Sequence, residues 1–167
     1  MSDEKRFKVL FLCTGNSARS ILAESLLRKM DRRRFESFSA GADPKGQVNP
    51  YALQILEDVY RIDASGARSK SWSEFEDQTF DFVITVCDNA RESCPYWPGQ
   101  PIVAHWGMED PAAVEGTPEE IDRAFKKTAV EVHRRLDLFC NLPFDKLDRL
   151  RLEQLTREIG ERAPAGV

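Results

Sequence analysis

VLFLCTGNSARS, Val9–Ser20, runs four apolar residues into a cysteine, crosses five small or polar residues and closes on an arginine and a serine. An apolar run bounded by turn residues reads as a buried parallel strand, here Lys8–Leu12. Ser20–Lys29 reads as the helix that follows. A strand that delivers a thiol to its carboxyl end, with a helix opening at once, is the ligand-binding corner of a doubly wound sheet. FDFVITV, Phe80–Val86, is a second such run, and Phe35–Ala40 and Ile102–His105 are shorter ones. Helical patterns separate them at Pro50–Tyr60 and from Pro118 to about Asn141. In the latter Ile121, Phe125, Thr128, Val132, Leu136 and Phe139 recur at three- and four-residue spacings as one apolar stripe. Thr117 before Pro118, with Glu120 three residues on, marks its start. Phe144–Ile159, carrying Leu147, Leu150, Leu155 and Ile159, reads as a further amphipathic helix. Strands alternating with helices predict an α/β fold, a small doubly wound four-stranded parallel sheet flanked by helices. One domain is expected over residues 1–167, with a core at about 7–142 and a helical extension at 143–160.

The 167 residues, 41% of them hydrophobic, suit one domain with a real core. A net charge of −4 gives no basic face for a phosphate backbone, which argues against nucleic acid as partner. MSDEKRF lacks the apolar stretch of a secretory signal, and no run is long enough to span a bilayer. A soluble cytoplasmic protein is expected, where thiols stay reduced. Its four cysteines, Cys13, Cys87, Cys94 and Cys140, are then candidates for core filling, metal binding or redox chemistry rather than structural staples. Cys140, on the apolar side of the long helix, reads as core.

Thr14, Gly15, Asn16, Ser17 and Ala18 are small or polar, so their backbone N–H groups can turn inward and ring an anion. The helix beginning at Ser20 adds a favourable field, and Arg19 reaches back as a two-pronged donor matched to a tetrahedral oxyanion. The same donors stabilise a thiolate, so Cys13 is expected to ionise well below the usual value of about 8.5 and to act as a nucleophile. VITVCDNARESCP repeats the device: a second strand ends on Cys87. Parallel neighbours lie about 4.8 Å apart, which would bring Cys13 and Cys87 out at one crevice. Cys94 follows seven residues later. A helix would hold it about 10.5 Å from Cys87, whereas a disulfide needs Cα atoms about 4.4–6.8 Å apart. A Cys87–Cys94 bond therefore requires Asp88–Ser93 to leave any helical form, and Asp, Asn and Ser suit such a switch. The spacing of these cysteines with His105 fits no common structural zinc site, and no metal is expected there.

LCTGNSARS resembles the phosphate loop of the low-molecular-weight protein tyrosine phosphatase superfamily, and WGMEDPA supplies its late Asp-Pro pair, Asp110-Pro111. That resemblance implies attack by Cys13 on the central atom of the oxyanion, transition-state stabilisation by Arg19 and general acid catalysis by Asp110. With SAG, VCDNA....CP, HWG and DPA, the stretch Phe7–Asn141 resembles one branch of the superfamily, the thioredoxin-coupled arsenate reductases. The implied activity is reduction of arsenate to arsenite, an arsenical-resistance function, with phosphate as competing oxyanion. Cys13 would form the arsenate adduct, Cys87 would displace arsenite, and Cys94 would attack the resulting disulfide, leaving a redox-active Cys87–Cys94 bond. Ser20 would help hold the thiolate and Asn16 the loop shape. No tightly bound cofactor is implied. Electrons would come from reduced thioredoxin, with Cys94 the clue against the glutaredoxin or mycothiol used by some relatives. Some relatives bind a potassium ion near the loop; the positions to hold one here are Asn16, Glu24, Ser39 and Asp63. A monomer or weak dimer is expected. The alternative is a tyrosine phosphatase hydrolysing phosphate monoesters, but Ala18 and Ile21 stand where those enzymes typically carry Cys and Pro. A non-catalytic oxyanion sensor would need neither Cys13 nor Asp110.

Overall fold

The computed structural model describes residues 6–161, so the two ends of the expected 1–167 span lie outside it. Its four parallel strands, β1 (Phe7–Cys13), β2 (Phe35–Gly41), β3 (Phe82–Thr85) and β4 (Ile102–His105), stand in the order β2-β1-β3-β4. Helices cover the sheet: α1 (Arg19–Asp31), α2 (Pro50–Asp58), a short α3 (Asp88–Ser93), α4 (Pro118–Cys140) and α5 (Arg149–Glu161). The chain steps from β1 outward to β2, then crosses back over β1 to β3. The order therefore reverses between β1 and β3, and the crevice at their carboxyl ends is where a sheet of this type binds ligands. Cys13 at the end of β1 and Cys87 two residues past β3 both sit at that point. Val9–Leu12 are fully buried, as the continuous apolar run requires of a strand covered on both faces.

Register sets the relation of the thiols. Leu12 pairs with Thr85, and Val86 N donates to Leu12 O at 2.8 Å. Cys13 thus faces Val86, and Cys87 lies one residue further out along the edge.

Phe139, near the end of α4, packs its ring against those of Phe82, Phe35, Phe144 and Trp106 at 5.0, 5.2, 5.3 and 5.7 Å. Each such aromatic pair adds about 0.5–1.5 kcal/mol beyond its burial. The α4 stripe is buried as its periodicity predicts, apart from a half-buried Ile121, and the Thr117–Glu120 capping box opens the helix.

Several boundaries differ from the sequence reading. β3 spans Phe82–Thr85 rather than Phe80–Val86, because Asp81 Oδ2 accepts from Lys8 N at 2.8 Å, a side-chain bond where the reading puts a strand residue. α1 begins at Arg19, not Ser20, and α2 stops at Asp58. The segment Asp88–Ser93 is helical, with Cys87 as its N-cap: the Cys87 sulfur accepts from Ala90 N at 3.4 Å. The expected helix Phe144–Ile159 is a 3₁₀ turn at Phe144–Lys146 followed by α5. Asp148 accounts for the break, its carboxylate accepting from Arg151 N at 2.8 Å as an N-cap. The buried face of α5 is accordingly Leu152, Thr156 and Ile159, while Leu150 is 77% exposed and Leu155 is half-buried.

That face closes the free edge of β4. Arg157 Nε donates to Val103 O, and Trp106 Nε1 to Thr156 O, each at 3.0 Å. A Cβ at Gly160 would lie 2.1 Å from His105 O, so only glycine permits this approach. Among the described residues no helix is long and apolar enough to cross a membrane.

Candidate active site

The loop between β1 and α1 is shaped from beneath. Asn16 is fully buried at φ 45°, a left-handed conformation that costs a non-glycine residue of order 1–3 kcal/mol. Its side chain holds it there. Nδ2 donates to Ser20 Oγ at 2.8 Å and Ser39 Oγ at 3.0 Å, while Oδ1 accepts from Lys70 N at 2.9 Å. Gly41, in the SAG motif at the end of β2, is required because a Cβ there would stand 2.5 Å from Thr14 O. The segment after β2 then braces the loop: Ala42 N, Asp43 N and Lys45 N donate to Cys13 O, Thr14 O and Gly15 O at 3.2, 2.9 and 3.0 Å.

Cys13 is buried at the floor. Its sulfur accepts from Asn16 N at 3.2 Å and makes a hydrogen-bond contact of 2.9 Å with Ser20 Oγ. Ala18, the α1 N-cap, makes no side-chain capping bond, which keeps the first-turn N–H groups for a ligand. A cavity of about 300 Å³ is lined by Cys13, Thr14, Gly15, Ser17, Ala18, Arg19 and Asp110, together with Asp43 and Lys45.

Asp110 comes from the loop after β4. Two arginines hold consecutive carbonyls of that loop, Arg135 Nη1 on Gly107 O and Arg19 Nη1 on Met108 O, both at 3.0 Å. Asp110 Oδ1 accepts from Ala112 N at 3.0 Å, and Oδ2 lies 3.7 Å from Arg19 Nη2. Cys13, Arg19 and Asp110, expected from the sequence to work together, thus line one cavity.

The second and third thiols lie beside it in sequence along α3. The Thr14 hydroxyl accepts from Asn89 Nδ2 at 3.0 Å, which leaves its proton for the Cys87 sulfur at 3.3 Å. Thr14 therefore touches both the oxyanion cavity and Cys87. Cys94 stands at the other end of α3 as its C-cap, and burial pushes its thiol pKa up. All four cysteines are free. Cys140, packed against the core at the end of α4, has its pKa pushed up to about 11, by burial first and Asp31 second.

Three residues escaped the sequence reading, and His105, weighed there only as a zinc ligand, has a different role. Asp43 and Lys45 reach the cavity from the ADPKG segment after β2; their signal was a charged turn following a strand that ends at the same edge. His105 bridges Thr85 Oγ1 through Nδ1 at 2.8 Å and Asp88 Oδ1 through Nε2 at 2.9 Å, tying α3 to β3 and β4. Lys70, buried behind the loop, carried no signal. Its Nζ donates to Ser39 Oγ at 3.2 Å and Asn16 Oδ1 at 3.4 Å and lies 3.7 Å from Glu24 Oε1. Burial lowers its pKa, and Glu24 opposes that shift. Of the residues expected to hold potassium, Asn16, Ser39 and Glu24 surround Lys70 Nζ, and Glu24 and Asp63 line one cavity with it. Asp63 is exposed, its carboxylate accepting from Ser65 N at 3.0 Å, and an ammonium already stands among the other three. Among the described residues no group of three His, Cys, Asp or Glu could hold a metal ion.

Residues 8–149 match the family model described as low molecular weight phosphotyrosine protein phosphatase. An arsenate reductase from Halalkalibacterium halodurans is 37% identical over 132 residues, spanning 79% of this chain and 94% of that protein. Among solved structures, an arsenate reductase in its oxidized state matches with a TM-score of 0.65 at 28% identity, covering 78% of this chain and 93% of that one. A low molecular weight protein tyrosine phosphatase from T. tengcongensis matches at 0.66 and 26% identity, covering 84% and 99%. A thioredoxin-dependent arsenate reductase from Corynebacterium glutamicum matches at 0.58 and 28% identity, covering 82% and 65%.

Proposed function

Because the chain belongs to the low molecular weight phosphotyrosine protein phosphatase family, we propose that it applies that family's phosphate loop to arsenate and reduces it to arsenite through a thiol relay. The Cys13 thiolate attacks arsenic of an arsenate held by the loop N–H groups and Arg19. A sulfur–arsenic bond forms and one oxygen leaves as water, taking a proton from Asp110. The Cys87 thiolate then attacks the Cys13 sulfur. A Cys13–Cys87 disulfide forms, the sulfur–arsenic bond breaks, and its electron pair leaves with arsenic as arsenite. Cys94 attacks the Cys87 sulfur, which expels the Cys13 thiolate back into its cradle of donors and leaves a Cys87–Cys94 disulfide. A reduced thioredoxin dithiol restores the pair. The sum is arsenate plus dithiol giving arsenite, disulfide and water.

One observation carries this reading over phosphate-ester hydrolysis. At the switch point β1 ends in Cys13 and Cys87 follows β3 by two residues, the two linked through Thr14, and a third thiol waits across a six-residue helix. A hydrolase needs only the first. One chain carries all three thiols, so the relay needs no second copy, and it suits the reducing cytoplasm.

Arsenate-dependent NADPH oxidation with thioredoxin and thioredoxin reductase tests the proposal, with the glutaredoxin system as second arm. Cys87→Ser and Cys94→Ser should each abolish coupled turnover yet retain slow cleavage of an aryl phosphate. Without Cys94 the protein should trap a Cys13–Cys87 disulfide. Thiols that all stay free after arsenate, with phosphatase activity intact, would establish the hydrolase instead.

A further inference from the structure

Behind the loop, one buried positive charge is wrapped in oxygens. Lys70 is 7% exposed, and its ammonium meets an amide oxygen (Asn16), a hydroxyl (Ser39), a backbone carbonyl (Arg68, 3.0 Å) and a carboxylate (Glu24). Such an all-oxygen set is what a hard cation takes. Here the cation is covalently attached.

The bonds also have a direction. Asn16 Oδ1 accepts from both the backbone N and Nζ of Lys70, so the amide cannot be turned over, and Nδ2 must face Ser20 and Ser39. Ser20 Oγ accepts from that Nδ2, and toward a Cys13 thiolate 2.9 Å away it is the donor. Ser39, accepting from both Nδ2 and Nζ, passes its own proton to Glu24 Oε1 at 2.5 Å. Polarity therefore runs from the Lys70 ammonium through Asn16 and Ser20 to Cys13.

We propose that Lys70 is a positioning residue that orients Asn16 and Ser20 toward the Cys13 thiolate, and that its tethered ammonium replaces a monovalent metal ion at this spot. The proposal rests on Cys13 being the nucleophile of the reaction above, but not on which oxyanion reacts. Charge balance supports it. Glu24 is shared between Lys70 and Arg28, whose Nη2 lies 3.0 Å from Oε2, so an added cation would meet a carboxylate already paired on both oxygens. A cavity of about 730 Å³ lined by Glu24, Arg28, Asp63, Arg68 and Lys70 adjoins this cluster. Shortening the Lys70 side chain would open that space to solvent ions.

The test reads the rate of Cys13 alkylation by iodoacetamide and the affinity for inorganic phosphate. Both are measured in tetramethylammonium, sodium and potassium chloride at equal ionic strength. Wild-type values should agree within about twofold in all three salts. Lys70→Ser should slow Cys13 alkylation in tetramethylammonium by about 10-fold or more, the scale of one lost charge-assisted hydrogen bond. Potassium or methylammonium should restore most of that loss. Ser20→Ala, which keeps Lys70 but cuts the last link, should show the loss without the rescue, and it serves if Lys70→Ser does not fold. A potassium-dependent wild type, a folded Lys70→Ser with unchanged alkylation, or a loss that no cation restores would each overturn the proposal. Absence of arsenate turnover would refute the reductase alone and leave these readouts standing.

Discussion

Glu92, exposed on α3, offers a direct measure of how far the relay must deform the protein. Cys87 and Cys94 cap opposite ends of that helix. Seven steps at about 1.5 Å each separate them by about 10.5 Å along the axis, and a disulfide requires about 4.4–6.8 Å between Cα atoms. The ends must approach by about 4–6 Å, which a helix of six residues cannot absorb by bending. A Cys87–Cys94 disulfide therefore requires α3 to unwind, so that helix propensity within it would act on the reduced state alone. Alanine and glycine at position 92 differ by about 1 kcal/mol in helix propensity. For a two-electron couple that difference is about 20 mV, or about fivefold in the dithiol–disulfide equilibrium. Glu92→Gly should have the more negative potential, since it weakens only the reduced form. The measurement is equilibration of both variants, in a Cys13→Ser background, with dithiothreitol redox buffers, followed by differential alkylation and mass spectrometry. Amide exchange across residues 88–93 should quicken on oxidation. Potentials equal within about 5 mV, or in the reverse order, would mean that α3 survives disulfide formation and that the reasoning fails.

Two further outcomes concern groups outside that switch. Asp110→Asn should slow the first chemical step by about 10²–10⁴-fold in single-turnover experiments while phosphate affinity stays the same, as removal of a general acid requires. Cys140, with its pKa near 11 against an ordinary 9.0, should be about 0.1% thiolate at pH 8 and the slowest of the four to alkylate. Cys140→Ser should leave turnover unchanged. Because the folded state holds this proton more tightly, the associated stability is fully present below about pH 9 and is lost as pH rises through about 11. Denaturation midpoints of wild type and Cys140→Ser across that window check the sign.

What could be read from the sequence is what the chain encodes contiguously. The β1 loop and α1 lie within Val9–Ser20, where every residue type answers to one demand. The α4 stripe and its capping box are likewise local. Boundaries shifted where a single carboxylate competed with the backbone, Asp81 at the start of β3 and Asp148 at the start of α5. Leu150 and Leu155 formed a stripe with Leu147 only if one helix ran through Asp148; with α5 starting afresh at Arg149, its buried face is Leu152, Thr156 and Ile159. The support beneath the loop was hidden for another reason. Asn16 and Lys70 stand 54 positions apart, and no periodicity connects them. Asp63 was expected near the loop from the resemblance alone, and the turn it belongs to, with its carboxylate on Ser65 N, has no periodicity to announce it. His105 had meaning only once β3, β4 and α3 were seen to meet.

The one-residue stagger between Cys13 and Cys87 would give the proposed relay an inside and an outside. Cys13 is 3% exposed, Cys87 is 6% exposed one step nearer the rim, and Cys94 is half-buried beyond α3, two residues before Tyr96 at 84% exposure. Oxidising equivalents that enter at the oxyanion cavity would leave at a different surface, so a protein reductant never has to approach the loop. Selection among anions and selection among electron donors then fall on separate residues. The chain could change its donor by altering the surroundings of Cys94 and Tyr96, with the cavity around Cys13 and Arg19 untouched.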